Sequence, residues 1–270
     1  MPVDWGNIAL LCFLTGLAGF IDSIAGGGGL ISLPAYLLVG LPAHQAAGSN
    51  KFSAGVGLSM AVARFGLEGK IMWREALVSM FAALAGGVVG SLLAMYLSAT
   101  VLKLVIVGML PLVGIYLLLH GIPREGRGKD SAPALSGRQR AFISLGIGLS
   151  VGAYDGLVGP GTGTFVIIAS VAWLHIDLLR ATANAKVINL ASNISSLAVF
   201  LWNDAVVFRY ALPAAASTFL GNYLGVSYCM KYGPGGIRKI LFVVLMLLFA
   251  KLIFDLLGAG NDWQKILGLG

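Results

Sequence analysis

Long apolar runs free of charged side chains alternate along this chain with short polar loops. Ala76 to Leu97, Leu104 to Leu119, Ala141 to Tyr154, Val187 to Asn203, Tyr210 to Met230 and Ile240 to Ala250 contain no Asp, Glu, Lys or Arg. The pattern predicts ten helical segments, near residues 7–25, 29–40, 44–64, 75–97, 101–120, 138–157, 162–174, 181–203, 208–230 and 237–257. Crossing a hydrocarbon layer takes about 20 helical residues, so the second and seventh segments are too short to span it. Each follows a glycine-rich break, Gly26-Gly27-Gly28-Gly29 in one case and Gly159-Pro160-Gly161-Thr162-Gly163 in the other. The first and second segments are therefore expected to pair as one broken or re-entrant hairpin, and the sixth and seventh as another.

The two hairpins read as copies. Gly19-Phe20-Ile21-Asp22 recurs as Gly152-Ala153-Tyr154-Asp155 at an offset of 133, and from Lys51 onward the offset settles at 135. That offset carries Lys51 to Lys186, Arg74 to Arg209, Gly86 to Gly221, Gly90 to Gly225 and Lys103 to Arg238. Twice 135 is the full 270 residues, the mark of a duplicated five-segment unit. The expected fold is an all-α polytopic membrane protein of two inverted five-segment repeats, each a broken or re-entrant hairpin followed by three transmembrane helices. Residues 1–120 form the first repeat, 121–137 a cytoplasmic linker and 138–270 the second repeat.

Composition identifies the solvent. Of the 270 residues 58% are hydrophobic and 11% charged, with a mean hydropathy of +0.89. A soluble domain of this length could not hide that much apolar surface in one core. The opening residues MPVDWGN lack the basic n-region of a cleaved signal, so the first segment is expected to stay in the mature protein. The net charge of +7 sits in short loops between apolar runs, which fits membrane orientation and not nucleic-acid binding. With Arg124, Arg127, Lys129, Arg138 and Arg140 of the linker in the cytoplasm, counting crossings outward also places Arg64, Lys70, Arg74, Arg180, Lys231, Arg238 and Lys239 there. Lys103, Arg209, Lys251 and Lys265 fall at the outer side. Both termini then face the periplasm of an inner membrane, and the two hairpins enter from opposite faces. Cys12 and Cys229 lie in apolar runs as packing residues, and His44, His120 and His175 make no metal-spaced set with them. No metal or cofactor site and no Ser-His-Asp set is indicated, so the chain is not expected to be an enzyme.

Backbone freed by a broken helix cannot face lipid, so each break is expected to be buried in protein or to line a wet cavity. A half-helix starting after Gly29 or Gly163 presents unsatisfied N–H groups and a positive dipole end, and both attract an anion. In that reading Gly26, Gly27, Gly28, Gly29, Gly161 and Gly163 let a ligand approach the backbone, with Thr162, Thr164 and Ser23 as hydroxyl donors; the plainer reading is a re-entrant turn. Gly86, Gly90, Gly221 and Gly225 read as packing glycines. A P-loop is excluded, because no Lys-Ser/Thr follows either glycine run and no strand precedes it. Lys51 and Lys186 occupy equivalent places inside apolar segments, where a charge is costly unless paired or functional. They are either counter-charges for an anion or lysines that snorkel to the nearer interface. Asp22 and Asp155, just before the breaks, are candidates for proton coupling or for caps or partners of those lysines. Asn50, Asn184, Asn189 and Asn193 are amides able to bond a ligand's oxygens or another helix. Two Asp with two Lys leave such a site near neutral, so attraction for an anion rests on the helix termini unless an Asp is protonated.

At these residues the chain resembles the sulfite exporter TauE/SafE family, also called TSUP, over nearly its whole length. The most specific stretches are Gly19 to Leu30, Gly48 to Lys51, Gly152 to Gly163 and Ala183 to Asn193. The resemblance implies duplicated halves with short paired hairpins, and export or uptake of sulfite, sulfoacetate, taurine-related sulfonates or small carboxylates. The Pro160 to Thr164 break departs from the all-glycine first copy, which makes the halves unequal in ligand contact. Lacking a Walker motif, such a carrier draws on an ion gradient, of protons or sodium ions, or on the substrate's own gradient. The expected function is secondary transport of small anions, sulfite or organosulfonates first, by alternating access. A channel-like anion facilitator and a transporter of small carboxylates are the alternatives. The expected partners are the lipid bilayer and a small anionic substrate, with a homodimer left open.

Overall fold

The computed structural model describes residues 5–102, 104–105 and 135–258, and every regular element among them is a helix. The first half comprises α1 (Trp5–Ala25), α2 (Gly29–Leu38), α3 (Ala43–Leu67) and α4 (Trp73–Tyr96). The second comprises α5 (Gly137–Leu157), α6 (Thr162–Trp173), α7 (Leu178–Trp202) and α8 (Phe208–Gly258). Most of the fifth expected segment and of the linker lies outside the described residues. The ninth and tenth expected segments form α8, which breaks at Gly233, where φ is 55° and ψ −153°, just before Pro234.

Local chemistry explains where the helices begin. Ser136 opens α5 with a capping box: its hydroxyl accepts from the Gln139 N–H, and the Gln139 amide oxygen accepts from the Ser136 N–H. Asp177 caps α7 by accepting from the Arg180 N–H. Turn geometry repeats along with the sequence. Gly40 and His175 both hold positive φ, 87° and 53°, and so do Gly69 and Asp204, 64° and 53°, each pair 135 residues apart. His175 and Asp204 hold the left-handed turn without the glycine that makes it easy.

Helices α1, α4 and α7 are long and apolar enough to cross a membrane, with mean hydropathies of 2.0, 2.0 and 1.3, whereas α2 and α6 have only 10 and 12 residues. Large apolar side chains such as Phe13, Phe81, Phe142 and Leu220 point outward, while Ser, Thr, Asn and Lys side chains are buried. That distribution suits a surrounding solvent of lipid tails, and the chain is a multi-pass membrane protein. The first helix of each half lies along the fourth helix of the other, α1 on α8 and α5 on α4. Both seams are built of small residues. A side chain at Gly86 or Gly90 would run into the α5 backbone between Leu149 and Ala153, and one at Gly221 or Gly225 into the α1 backbone between Gly16 and Phe20. These four are packing glycines, as the sequence indicates.

Candidate functional site

The two glycine breaks cross back to back in the protein centre. Gly26 has a φ of 75°, and a Cβ there would lie 2.5 Å from the Gly163 Cα, as a Cβ at Gly163 would from the Gly26 Cα. Only a pair of glycines permits that approach. Thr164 ties the crossing by donating to the carbonyl of Ala25, the last residue of α1, at 2.7 Å. The path of both backbones is thus fixed at the point where α2 and α6 begin.

Two ion pairs flank the crossing, and each joins one half to the other. Lys51 Nζ sits 2.8 Å from Asp155 Oδ2 and donates to the Asp155 carbonyl at 2.6 Å. Lys186 Nζ sits 3.2 Å from Asp22 Oδ2 and also donates to the Asp22 carbonyl. Each lysine thus holds both the carboxylate and the main chain of the aspartate that closes the opposite half's first helix. The lysine side chains are 6% and 0% exposed, so neither snorkels. Removing one member of such a buried pair typically costs about 3–5 kcal/mol, because the other charge is left uncompensated.

A small cavity of about 40 Å³, lined by many polar side chains, opens beside the crossing. The first break supplies Gly26, Gly28 and Gly29, α3 supplies Asn50 and Lys51, and α1 and α5 supply Asp22 and Asp155. From the second half come Thr162, Asn189 and Asn193. The Gly29 N–H, first of α2, has no acceptor among the described residues. Asn50 and Asn189 are 7% and 4% exposed, and each has an amide oxygen without a partner. These oxygens are acceptors left without a donor, while the NH2 groups of the same side chains are the donors they can turn to a ligand in the cavity. The arrangement can offer amide and backbone N–H groups to a small ligand inside a charge-balanced shell.

Not every residue singled out in the sequence borders this cavity. Gly27, Gly161, Gly163, Thr164 and Lys186 lie outside its lining, Thr164 being committed to Ala25 and Lys186 to Asp22. Asn184 accepts from the Met72 N–H at 2.8 Å and so anchors the start of α4. Asn193 donates to Asp155 Oδ2 at 3.1 Å. Sequence reasoning missed Thr218 and Asn222 of α8 and Ser32 and Ser53 of the first half, which also line the cavity. Asn222 stood as a lone amide within an uncharged run, and that was its only signal.

An apolar exterior and two broken helices crossing beside a polar cavity define the class, a multi-pass membrane protein with a cavity at its helix breaks. Comparison with known proteins then identifies the family. The model for the sulfite exporter TauE/SafE family matches residues 11–252, and the chain belongs to that family. It is 34% identical over 249 residues to a probable membrane transporter protein, ORF9, of a Sinorhizobium species, covering 92% of this chain and 93% of the relative. The probable membrane transporter protein YfcA of Escherichia coli K12 is 33% identical over 248 residues, 92% of this chain and 90% of that one. A probable membrane transporter protein of Haemophilus influenzae is 32% identical over 257 residues, 94% and 98% of the two chains. No solved structure matches. The protein is a membrane transporter and not an enzyme.

Proposed function

We propose that this protein is a secondary transporter of small anions, sulfite or a small organosulfonate, working by alternating access between two inverted repeats in the bacterial inner membrane. The observation that carries this reading is the cavity beside the crossed breaks, which brings together the N-terminus of α2, Lys51 and the amide side chains of Asn50 and Asn189. A helix N-terminus and amide N–H groups are donors suited to an oxyanion, and they border a shell whose fixed charges cancel. At about 40 Å³ the space suits a ligand of a few heavy atoms, since one water needs roughly 10–15 Å³. Sulfite is of that size, and a longer sulfonate requires the halves to part.

Alternating access follows from how the halves are joined. The cross-half pairs Lys51–Asp155 and Lys186–Asp22 sit beside the cavity, so rocking one half against the other changes the site itself. In this reading residues 1–120 and 138–270 are the moving repeats, 121–137 the cytoplasmic linker, and both termini are periplasmic. Proteoliposomes loaded with unlabelled sulfite or methanesulfonate test it. Saturable uptake of labelled anion, accelerated by anion on the other side, is the expected result. Flux without such counter-exchange makes the protein a channel-like facilitator, and exchange of acetate or malonate alone makes it a carboxylate carrier.

A further inference from the structure

The two equivalent ion pairs differ in one respect that assigns them different work. Asp155 has four donors around it: Oδ1 faces the Thr162 hydroxyl at 2.9 Å, which also reaches the Gly159 carbonyl at 2.6 Å, and Oδ2 accepts from Lys51, from the Ser192 hydroxyl at 2.6 Å and from the Asn193 amide at 3.1 Å. Asp22 has two partners for the same four acceptor positions, the Gly28 N–H at 3.2 Å and Lys186 at 3.2 Å. Where the second half carries Thr162, Ser192 and Asn193, the first carries Gly29, Gly57 and Leu58. The space a side chain at Gly57 would need is filled by the Asn222 amide, which donates to the Thr218 carbonyl and accepts from Ser23, not reaching Asp22. The Asp22 side chain is 16% exposed against 5% for Asp155, and it borders the cavity.

We infer that Asp22 is the proton acceptor that couples transport, while Asp155 with Lys51 is a structural tie between the halves. This rests on the proposed anion-carrier reading. A proton arriving through the cavity meets an Asp22 carboxylate held by two donors and an Asp155 carboxylate held by four. When it binds an Asp22 oxygen the carboxylate becomes neutral, and the adjacent Lys186 ammonium, fully buried, loses its counter-charge. An entering monoanion restores it, and the new carboxyl O–H is one more donor facing the cavity. With Asp22, Asp155, Lys51 and Lys186 alone the site is neutral, and with one proton and one monoanion it is neutral again. Coupling is therefore one proton per univalent anion.

Among the described residues the surroundings add no competing acceptor. On α8 the Cys229 thiol points at the Ser23 carbonyl, 3.7 Å away, and Tyr228 packs edge-on against Phe20. On α3, Arg64 bonds the Tyr223 carbonyl and Ser227, and His44 bonds carbonyls of α4 and its end. On α2, Tyr36 donates to Ser53; α6 carries no titratable side chain, and on α7 Arg180 pairs with Asp177. That leaves Lys186, and the Lys51–Asp155 pair across the cavity, as the charged groups facing Asp22.

Calorimetric titration of the purified full-length protein with methanesulfonate tests the inference, since that anion takes up no proton of its own near neutral pH. Repeating it in two buffers of different ionisation enthalpy counts protons. The wild-type protein is expected to take up about one proton per anion bound, and Asp22→Asn protein to bind with none. Anion binding by wild-type protein without proton uptake overturns the inference, as does unchanged uptake in Asp22→Asn. The wild-type count stands whether or not the variant folds. Absence of binding by any of sulfite, methanesulfonate and sulfoacetate overturns instead the anion-carrier reading on which the inference rests.

Discussion

Replacing Gly26 by alanine adds a single methyl group at the place where the two halves come closest. The new Cβ would lie 2.5 Å from the Gly163 Cα, roughly 1 Å inside ordinary contact distance, and what it meets is backbone, which has no rotamer to yield. Forcing the breaks apart costs about 1–3 kcal/mol by analogy with overpacked cores. Holding an alanine at a φ of 75° adds about 1–2 kcal/mol. The sum, about 2–5 kcal/mol, is a large part of the stability of an ordinary domain. Gly146→Ala is the matched control: it lies within α5, and nothing stands within 4 Å of the added methyl. There alanine should be neutral or gain up to about 1 kcal/mol. Apparent thermal unfolding in one detergent, followed by loss of the monodisperse peak on size exclusion, reads both. An unfolding temperature for Gly26→Ala equal to that of Gly146→Ala would refute the back-to-back crossing.

Other consequences are equally open to measurement. Asn189→Ala removes an amide whose oxygen has no partner among the described residues, so stability should stay within about 0.5 kcal/mol while sulfite affinity falls about tenfold or more; a stability loss with unchanged affinity would assign Asn189 to structure. Lys51→Gln should destabilise the protein by about 3–5 kcal/mol by stranding Asp155, and adding Asp155→Asn should recover part of that; equal losses in single and double variants would show that the pair is not coupled. Gly90→Leu, pressed into the Ala153 backbone, should lower yield and thermal stability without altering the anion specificity of whatever protein folds. In a background lacking Cys12 and Cys229, a cysteine at exposed Asp204 should react with an impermeant maleimide added to intact cells; protection there until the cells are lysed would reverse the proposed orientation.

Much of this architecture could be read from the residues. Glycine runs ahead of two short apolar segments located both breaks, because only glycine and proline interrupt such segments so abruptly. The 133 and 135 offsets paired Asp22 with Asp155 and Lys51 with Lys186 before any coordinates. What the offsets could not supply was the partner: Lys51 bonds an aspartate 104 residues away in the other half, and a repeat relates equivalent positions without saying which of them touch. For the same reason Asn184 and Asn189, alike as amides in one helix, parted in space, one to the Met72 N–H and the other to the cavity. Thr164, two residues past the start of α6, holds the Ala25 carbonyl and does not line the cavity. Asn222 escaped notice because a lone amide in an apolar run signals only that something polar faces it.

The claim on which the rest depends is that the cavity beside the crossed breaks holds the anion. Selenite, the heavier analogue of sulfite, makes that visible through the anomalous scattering of selenium in crystals of the wild-type protein. The account predicts one selenium peak between Gly29, Lys51 and Asn189, absent from crystals grown with sulfite. A selenium peak elsewhere in the protein, with the cavity empty at saturating selenite, would contradict it.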